Sequence, residues 1–261
     1  KKCIDSIKKN RLAIQTDVFI VSDAPSLQNH VEKINEIRSY VKNIDGFKSV
    51  TLIAWQINKG SSRSLFDALK IILEKFDKFI FIEDDNIVSP YFLSYFQDAF
   101  EKYRKESSIF GICAYNYMIN IPIEYQYDAY FMRVAPMWGF GTWKSKFEEF
   151  LKQNQNPDFK SKEYKKYSKY LQQSSFYLKR MVNNNEFWFD AVCTYYLYKN
   201  NMFNLLPVQT LVRNTGFDNS GEHCKQNDSF GTQKVFQNSI EKFPIELIIN
   251  PKMEQLIVDF F

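Results

Sequence analysis

The sequence predicts an α/β fold with a mostly parallel central sheet flanked by helices. Short apolar runs rich in Val, Ile and Phe recur along the first half of the chain, separated by stretches whose apolar residues repeat at helical spacing. Strands joined by helices of that length need right-handed crossovers, which give parallel pairing of the doubly wound kind. One run, Phe79 to Ile82, is continuous and ends in three acids, the pattern of a buried strand that delivers ligand-facing groups at its carboxyl end.

Taken in order, Lys1 to Asn10 reads as a helix with Cys3, Ile4 and Ile7 on one side. Asp17 to Val21 is a strand ending in Ser22-Asp23-Ala24-Pro25, and a helix from about Gln28 to Val41 turns Val31, Ile34 and Ile37 inward. Ser49 to Ala54 forms the next strand. Asn58 to Ser62 is a turn into a helix marked by Leu65, Leu69, Ile72 and Phe76, followed at once by the acid-bearing strand. After Glu83-Asp84-Asp85, Ser89 is placed as an N-cap and Pro90 in the first turn of a helix whose stripe is Phe92, Phe96, Phe100 and Tyr103. Ser108 to Tyr115 adds a strand, and Ile121 to Trp143 loosens into an aromatic, glycine-containing stretch. Lys144 to about Arg180 reads as mostly helical, Phe187 to Tyr198 as an aromatic helix, and Asn204 to Leu206 and Val208 to Val212 as short strands.

The chain of 261 residues and 31.1 kDa suits one domain. Its 25 Phe and 16 Tyr imply aromatic-rich packing. The four cysteines, Cys3, Cys113, Cys193 and Cys224, contain no CxxC pair, which argues against a zinc knuckle and a disulfide framework and for a reducing, cytoplasmic setting. A net charge of +4 is too small to call for nucleic acid. Lys160 to Arg180 mixes lysines with tyrosines in a way that suits either an anionic lipid surface, and so peripheral membrane contact, or a solvated helical face.

Three adjacent carboxylates at a strand end repel one another unless a positive or hydrogen-bonding group is present, and a hard divalent cation such as Mg²⁺ or Mn²⁺ is the natural occupant. Alternation along an extended backbone sends Glu83 and Asp85 one way and Asp84 the other. Asp190 stands in an apolar stretch, where an acid either faces a pocket or pairs with backbone, Arg180 or Lys199. Trp138-Gly139-Phe140-Gly141-Thr142-Trp143 offers glycines for close approach and indole faces for stacking on sugar rings, or else a core turn filled by aromatics. Arg213 is placed to hold a phosphate or to fix its turn, and His223, one of two histidines, lies in a polar loop. His30 reads as a surface residue.

Four blocks, NKGSSRSLFDALKIILEKFDKFIFIEDDNIVSPYFL, MWGFGTWKSKF, FWFDAVCTYYLYKNN and LVRNTGFDNSGEHC, resemble in this order the GT-A glycosyltransferases, specifically a bacterial surface-polysaccharide group similar to the N-acetylglucosaminyltransferase I type. The resemblance implies a Rossmann-like GT-A fold and a metal-dependent inverting transfer from a nucleotide-diphosphate sugar, a UDP-sugar, to a glycan or lipid-linked acceptor. It further implies that 1–115 is a nucleotide-binding half and 116–261 an acceptor-binding half, that Asp85 binds the metal, that His223 is a second metal or phosphate contact, that Glu83 and Asp84 face donor sugar and ribose, and that Asp23 meets the nucleobase. Trp138, Gly139 and Arg213 join the donor site, and Asp190 becomes the general base. Such enzymes open with a strand and a nucleotide-contacting loop ahead of the helix at which this chain begins, so a first strand is expected to be missing. Rival readings are a sugar nucleotidyltransferase and a non-catalytic nucleotide-sugar or glycan-binding module.

Overall fold

A computed structural model describes residues 1–154, 161–162, 188–217 and 233–260. The opening helix α1 (Lys2–Lys8) buries Cys3, Ser6 and Ile7. Strands β1 (Asp17–Ser22) and β2 (Ser49–Ala54) pair in parallel across α2 (Val31–Val41). Helix α3 (Ser61–Leu73) leads into β3 (Lys78–Phe81), then come β4 (Asn86–Val88), α4 (Phe92–Tyr103) and β5 (Ile109–Cys113). The later chain contributes β6 (Ala129–Met132), β7 (Phe140–Trp143), α5 (Lys144–Gln153), α6 (Phe189–Lys199), β8 (Phe203–Pro207), β9 (Val212–Asn214) and α7 (Pro251–Phe260).

The central sheet has the order β3-β7-β5-β8-β6, with β5–β8 parallel and the other three pairs antiparallel. The class is therefore α/β with a mixed sheet flanked by helices, which corrects the expectation of a mostly parallel one. Two of the three antiparallel pairs come from the Trp-Gly block, which supplies β7 between β3 and β5 instead of forming only a turn, and the third comes from β6 on β8. Gly141 makes that insertion possible, since a Cβ there would stand 2.8 Å from the Phe100 ring and 2.9 Å from the Phe79 carbonyl oxygen.

Alternation along β6 and β8, and along β5 with a register shift between Ile109 and Gly111, builds two cores. Phe110, Cys113, Tyr130, Met132 and Leu206 face one side with Phe147, Phe150, Val192, Tyr196, Met253 and Ile257 from α5, α6 and α7. Ile109, Ile112, Ala129, Phe131 and Leu205 face the other with Ile7 of α1 and the α4 stripe. That stripe is as expected: Phe92 and Phe96 are fully buried, and Phe100 and Tyr103 nearly so. Both cores draw on residues from either side of position 115. Strand β3 lies at the sheet edge, but Phe79 and Phe81 pack into the first core and Ile80 and Ile82 against the second, so both of its faces are covered as expected. One expectation fails at the margin. In α2 only Val41 is buried and Ile37 is 53% exposed, because the helix lies over the peripheral β1–β2 pair.

Helix α4 also begins later than expected, at Phe92, with Ser89 forming a turn ahead of it: the Ser89 hydroxyl accepts the Tyr91 N–H at 3.1 Å. The cap comes from 83 residues away, where Asn10 accepts the Leu93 N–H at 2.9 Å while its amide donates to the Ser89 carbonyl at 3.0 Å. Ser6 likewise accepts the Val88 N–H at 3.0 Å, so α1 and the turn after it brace the segment that follows the acids. Replacing Asn10 by alanine leaves these buried groups unpaired and is expected to cost about 1–3 kcal/mol, read as an earlier urea midpoint with an unchanged slope.

Candidate functional site

The three acids occupy the short connection between β3 and β4, and each meets a different environment. Asp84 is exposed. Asp85 is half-buried, and its Oδ1 accepts the side-chain amides of Asn86 and Asn214, each at 2.9 Å. The Asp85 carbonyl accepts the Thr215 N–H at 2.8 Å and the Thr215 hydroxyl at 2.7 Å. These bonds follow from the antiparallel β4–β9 pair, which sets Asn86 opposite Asn214. Burial raises the Asp85 carboxyl above its ordinary range, opposed by the Asn214 amide and reinforced by the charge of Asp84.

Glu83 turns inward. Burial first, then the charges of Asp85 and Asp84, push it up to about 7, while a hydrogen bond from the Trp138 indole pulls the other way. The charge of Asp190 adds a further, smaller repulsive contribution to Glu83. Beneath the loop, the Cys3 thiol donates to the Glu83 carbonyl at 3.5 Å, and burial together with Asp84 pushes that thiol up to about 12.

Asp190 lies in the first turn of α6, where its Oδ1 accepts the Ala191 N–H at 2.8 Å. The residue keeps some contact with solvent, but apolar mass crowds its carboxyl and raises its pKa. No pairing to Lys199 is present, and Arg180 lies outside the described residues. Asp190 also acts on the phenol of Tyr117, which burial raises first. Tyr117, in turn, packs against Phe260 of α7 with ring centroids 5.4 Å apart.

The remaining candidates divide. Trp138 joins the acids through Glu83, with its ring held edge-on by Tyr115 at 4.8 Å and Phe217 at 5.7 Å. Gly139, at φ 74°, is buried where a Cβ would meet Ala114 at 2.8 Å and Phe92 at 2.9 Å, so a left-handed turn and close packing call for glycine there. Asp23 sits at the end of β1, and its carboxylate accepts the N–H groups of Ala24 at 2.8 Å, Lys59 at 3.0 Å and Gly60 at 2.8 Å, tying down the loop before α3. Arg213 alternates with Asn214 along β9, is absent from the charges that perturb Glu83 and Asp85, and leaves its buried Nε without a hydrogen-bond partner. His223 and Cys224 lie outside the described residues, as does all of Lys160 to Arg180 except Ser161 and Lys162. His30 is half-exposed, with Nδ1 3.3 Å from the Ser26 hydroxyl.

Sequence reasoning passed over Asn86, Asn214 and Thr215 as partners of Asp85. Asparagines near acids were visible, but their pairing depends on a strand contact that spans about half the chain. Among the described residues no three His, Cys, Asp or Glu side chains form a ready-made metal cage. The donor set still fits a hard divalent cation: among the described residues Asp85 Oδ2 has no hydrogen bond, Asp84 is exposed beside it, and neither is ion-paired. One or two carboxylates with phosphate and water completing the shell is an ordinary magnesium arrangement. The sequence matches no family model and no curated protein.

The raised Glu83 carboxyl sets a pH dependence in protein freed of divalent cations. Folded Glu83 holds its proton up to about 7, whereas the unfolded group releases it near its ordinary value of 4.5, so stability falls as pH rises between the two. Glu83→Gln is expected to flatten that decline, giving a higher melting temperature than wild type near pH 8 and little difference near pH 4. Trp138→Phe removes a group that favours the carboxylate and is expected to move the Glu83 titration, followed by carbon-detected NMR, further upward.

Proposed function

We propose that the chain is a metal-dependent inverting glycosyltransferase with a GT-A fold, which moves a sugar from a nucleotide-diphosphate sugar, foremost a UDP-sugar, to a glycan or lipid-linked acceptor in bacterial surface polysaccharide synthesis. The observation that carries this reading is the acid loop at the end of β3 with a second, separately held carboxyl, Asp190, whose charge also acts on Glu83. Two carboxyl sites with different tasks are what the chemistry requires: one to hold the charge of a departing diphosphate, the other to take a proton.

Bound Mg²⁺ or Mn²⁺ supplies positive charge to the leaving diphosphate. Asp85, through Oδ2, is the residue that would hold it, with His223 as a further ligand, while Asp84 faces the ribose. Glu83, kept in place by Trp138, faces the donor sugar. Asp190 accepts the proton of the acceptor hydroxyl through the oxygen not bonded to Ala191, as the hydroxyl oxygen attacks the anomeric carbon. The bond from that carbon to the diphosphate oxygen breaks, its electron pair leaves with the diphosphate, and the centre inverts. Burial raises Asp190 and so makes it a stronger proton acceptor than an exposed aspartate.

None of the described helices is long and apolar enough to cross a membrane. A cytoplasmic site of action at the inner membrane face belongs to the same proposal and rests on the basic, aromatic stretch from Lys160 to Arg180. The Asp23 carboxylate is engaged by three backbone N–H groups, which leaves base recognition to other residues. A donor-turnover assay separates the proposal from its rivals: sugar transfer by a glycosyltransferase, pyrophosphate release by a sugar nucleotidyltransferase, or binding alone by a module without turnover.

Asp85→Asn is expected to abolish Mn²⁺-dependent UDP binding in calorimetry while the melting temperature is kept, because it removes charge from a loop and no core volume. Asp190→Asn is expected to bind donor normally and lose about 10²- to 10⁴-fold in transfer, with the wild-type product showing inverted anomeric configuration by NMR. Loss of melting temperature in Asp190→Asn in place of turnover would make that carboxyl structural. Wild-type transfer should fall on acidification through a limb that lies above the usual aspartate range, since Asp190 must be ionised to act and its pKa is raised.

A further inference from the structure

We propose, resting on the reading of Asp85 as the cation-holding carboxylate, that Asn214 is a positioning residue that commits Asp85 to offering one oxygen, Oδ2, to a small six-coordinate divalent cation, and that Gly216 keeps the approach to that oxygen clear. A carboxylate oxygen has about two lone-pair sites. Asp85 Oδ1 fills both with the amides of Asn86 and Asn214, each at 2.9 Å. The amide of Asn214 is itself locked: the residue is 2% exposed, and its Oδ1 accepts the Gly216 N–H at 2.7 Å. Thr215 holds the Asp85 carbonyl with both its N–H and its hydroxyl, so neither the backbone nor the carboxylate of residue 85 is free to rotate. A Cβ at position 216 would stand 2.5 Å from Oδ2 and 3.2 Å from Asn214 Oδ1, so any side chain there displaces the carboxylate or blocks it.

One-oxygen ligation has a consequence for ion choice. Mg²⁺ and Mn²⁺ take single carboxylate oxygens in an octahedral shell, whereas Ca²⁺ takes six to eight oxygens and readily accepts both from one carboxylate. With Oδ1 occupied, the site discriminates against Ca²⁺. Asn214 is then a determinant of metal selectivity as well as of geometry, and removing it opens Oδ1 to bidentate binding.

The test uses the whole chain stripped with chelator and titrated with Mn²⁺ alone, bound ion being read by water-proton relaxation, which tolerates weak affinity, with Ca²⁺ as competitor. Asn214→Ala and Gly216→Ala are each expected to weaken Mn²⁺ binding by about 10- to 100-fold, the usual effect of losing a group that orients a metal ligand. Asn214→Ala should also raise the competitiveness of Ca²⁺ several-fold. The double variant should regain part of the affinity lost by Gly216→Ala, because an unlocked carboxylate can turn away from the added methyl; two merely structural losses would add. If Asn214→Ala does not fold, Gly216→Ala decides alone. Wild-type protein that ignores Mn²⁺, or Asp85→Asn that binds it normally, overturns both the metal reading and this one. Loss of binding in Asp85→Asn alongside wild-type affinity in Gly216→Ala and an unchanged Ca²⁺ competition in Asn214→Ala overturns only the role given to Asn214 and Gly216.

Discussion

Strand β7 between β3 and β5 is the constraint from which the rest of the architecture follows. Its position accounts for two of the three antiparallel pairs of the sheet, and it carries Trp138 at its entry to within hydrogen-bonding distance of Glu83. The insertion is tight. Gly111 on β5 lies where a Cβ would be 2.6 Å from the Phe140 ring, and Gly141 lies against Phe96 and Phe100. Missing side chains on two neighbouring strands are therefore filled by rings from β7 and α4, which is how so many phenylalanines fit at interior density.

The acid loop shows three answers to one electrostatic problem. Asp84 is left in water, Asp85 is held as an acceptor by two amides, and Glu83 goes into the interior, where it keeps a proton up to about 7 or ionises with the help of the Trp138 indole. No described ion pair neutralises any of them. Among the described residues the loop thus stays acidic without a protein cation to cancel it, while the residues around it remain fixed by neutral donors.

Much of the fold was legible where periodicity spoke. Strands at 17–22, 49–54, 78–81 and 109–113 and the aromatic stripe of α4 emerge from patterns of two and of three to four residues, with ends shifted by a residue or two. Pairing was not legible. Phe140-Gly141-Thr142-Trp143 has no polar alternation, since both faces are covered, and its glycine resembled a ligand-facing turn until the rings beneath it were placed. Of the site, Glu83, Asp84, Asp85 and Asp190 were visible because acids beside apolar runs are costly. Asn214 was not, because an asparagine in a turn looks the same whether it faces water or a carboxylate.

The cap that Asn10 places on α4 has a kinetic side. A helix whose first turn is completed by its own neighbours can form early and alone, but here the Leu93 N–H waits for a residue 83 positions earlier. Closing so long a loop costs entropy before the contact returns anything. The start of α4 is therefore completed only once the opening helix has docked, and the geometry of the segment after the acids is only as durable as that docking, which it shares with Ser6 and Cys3.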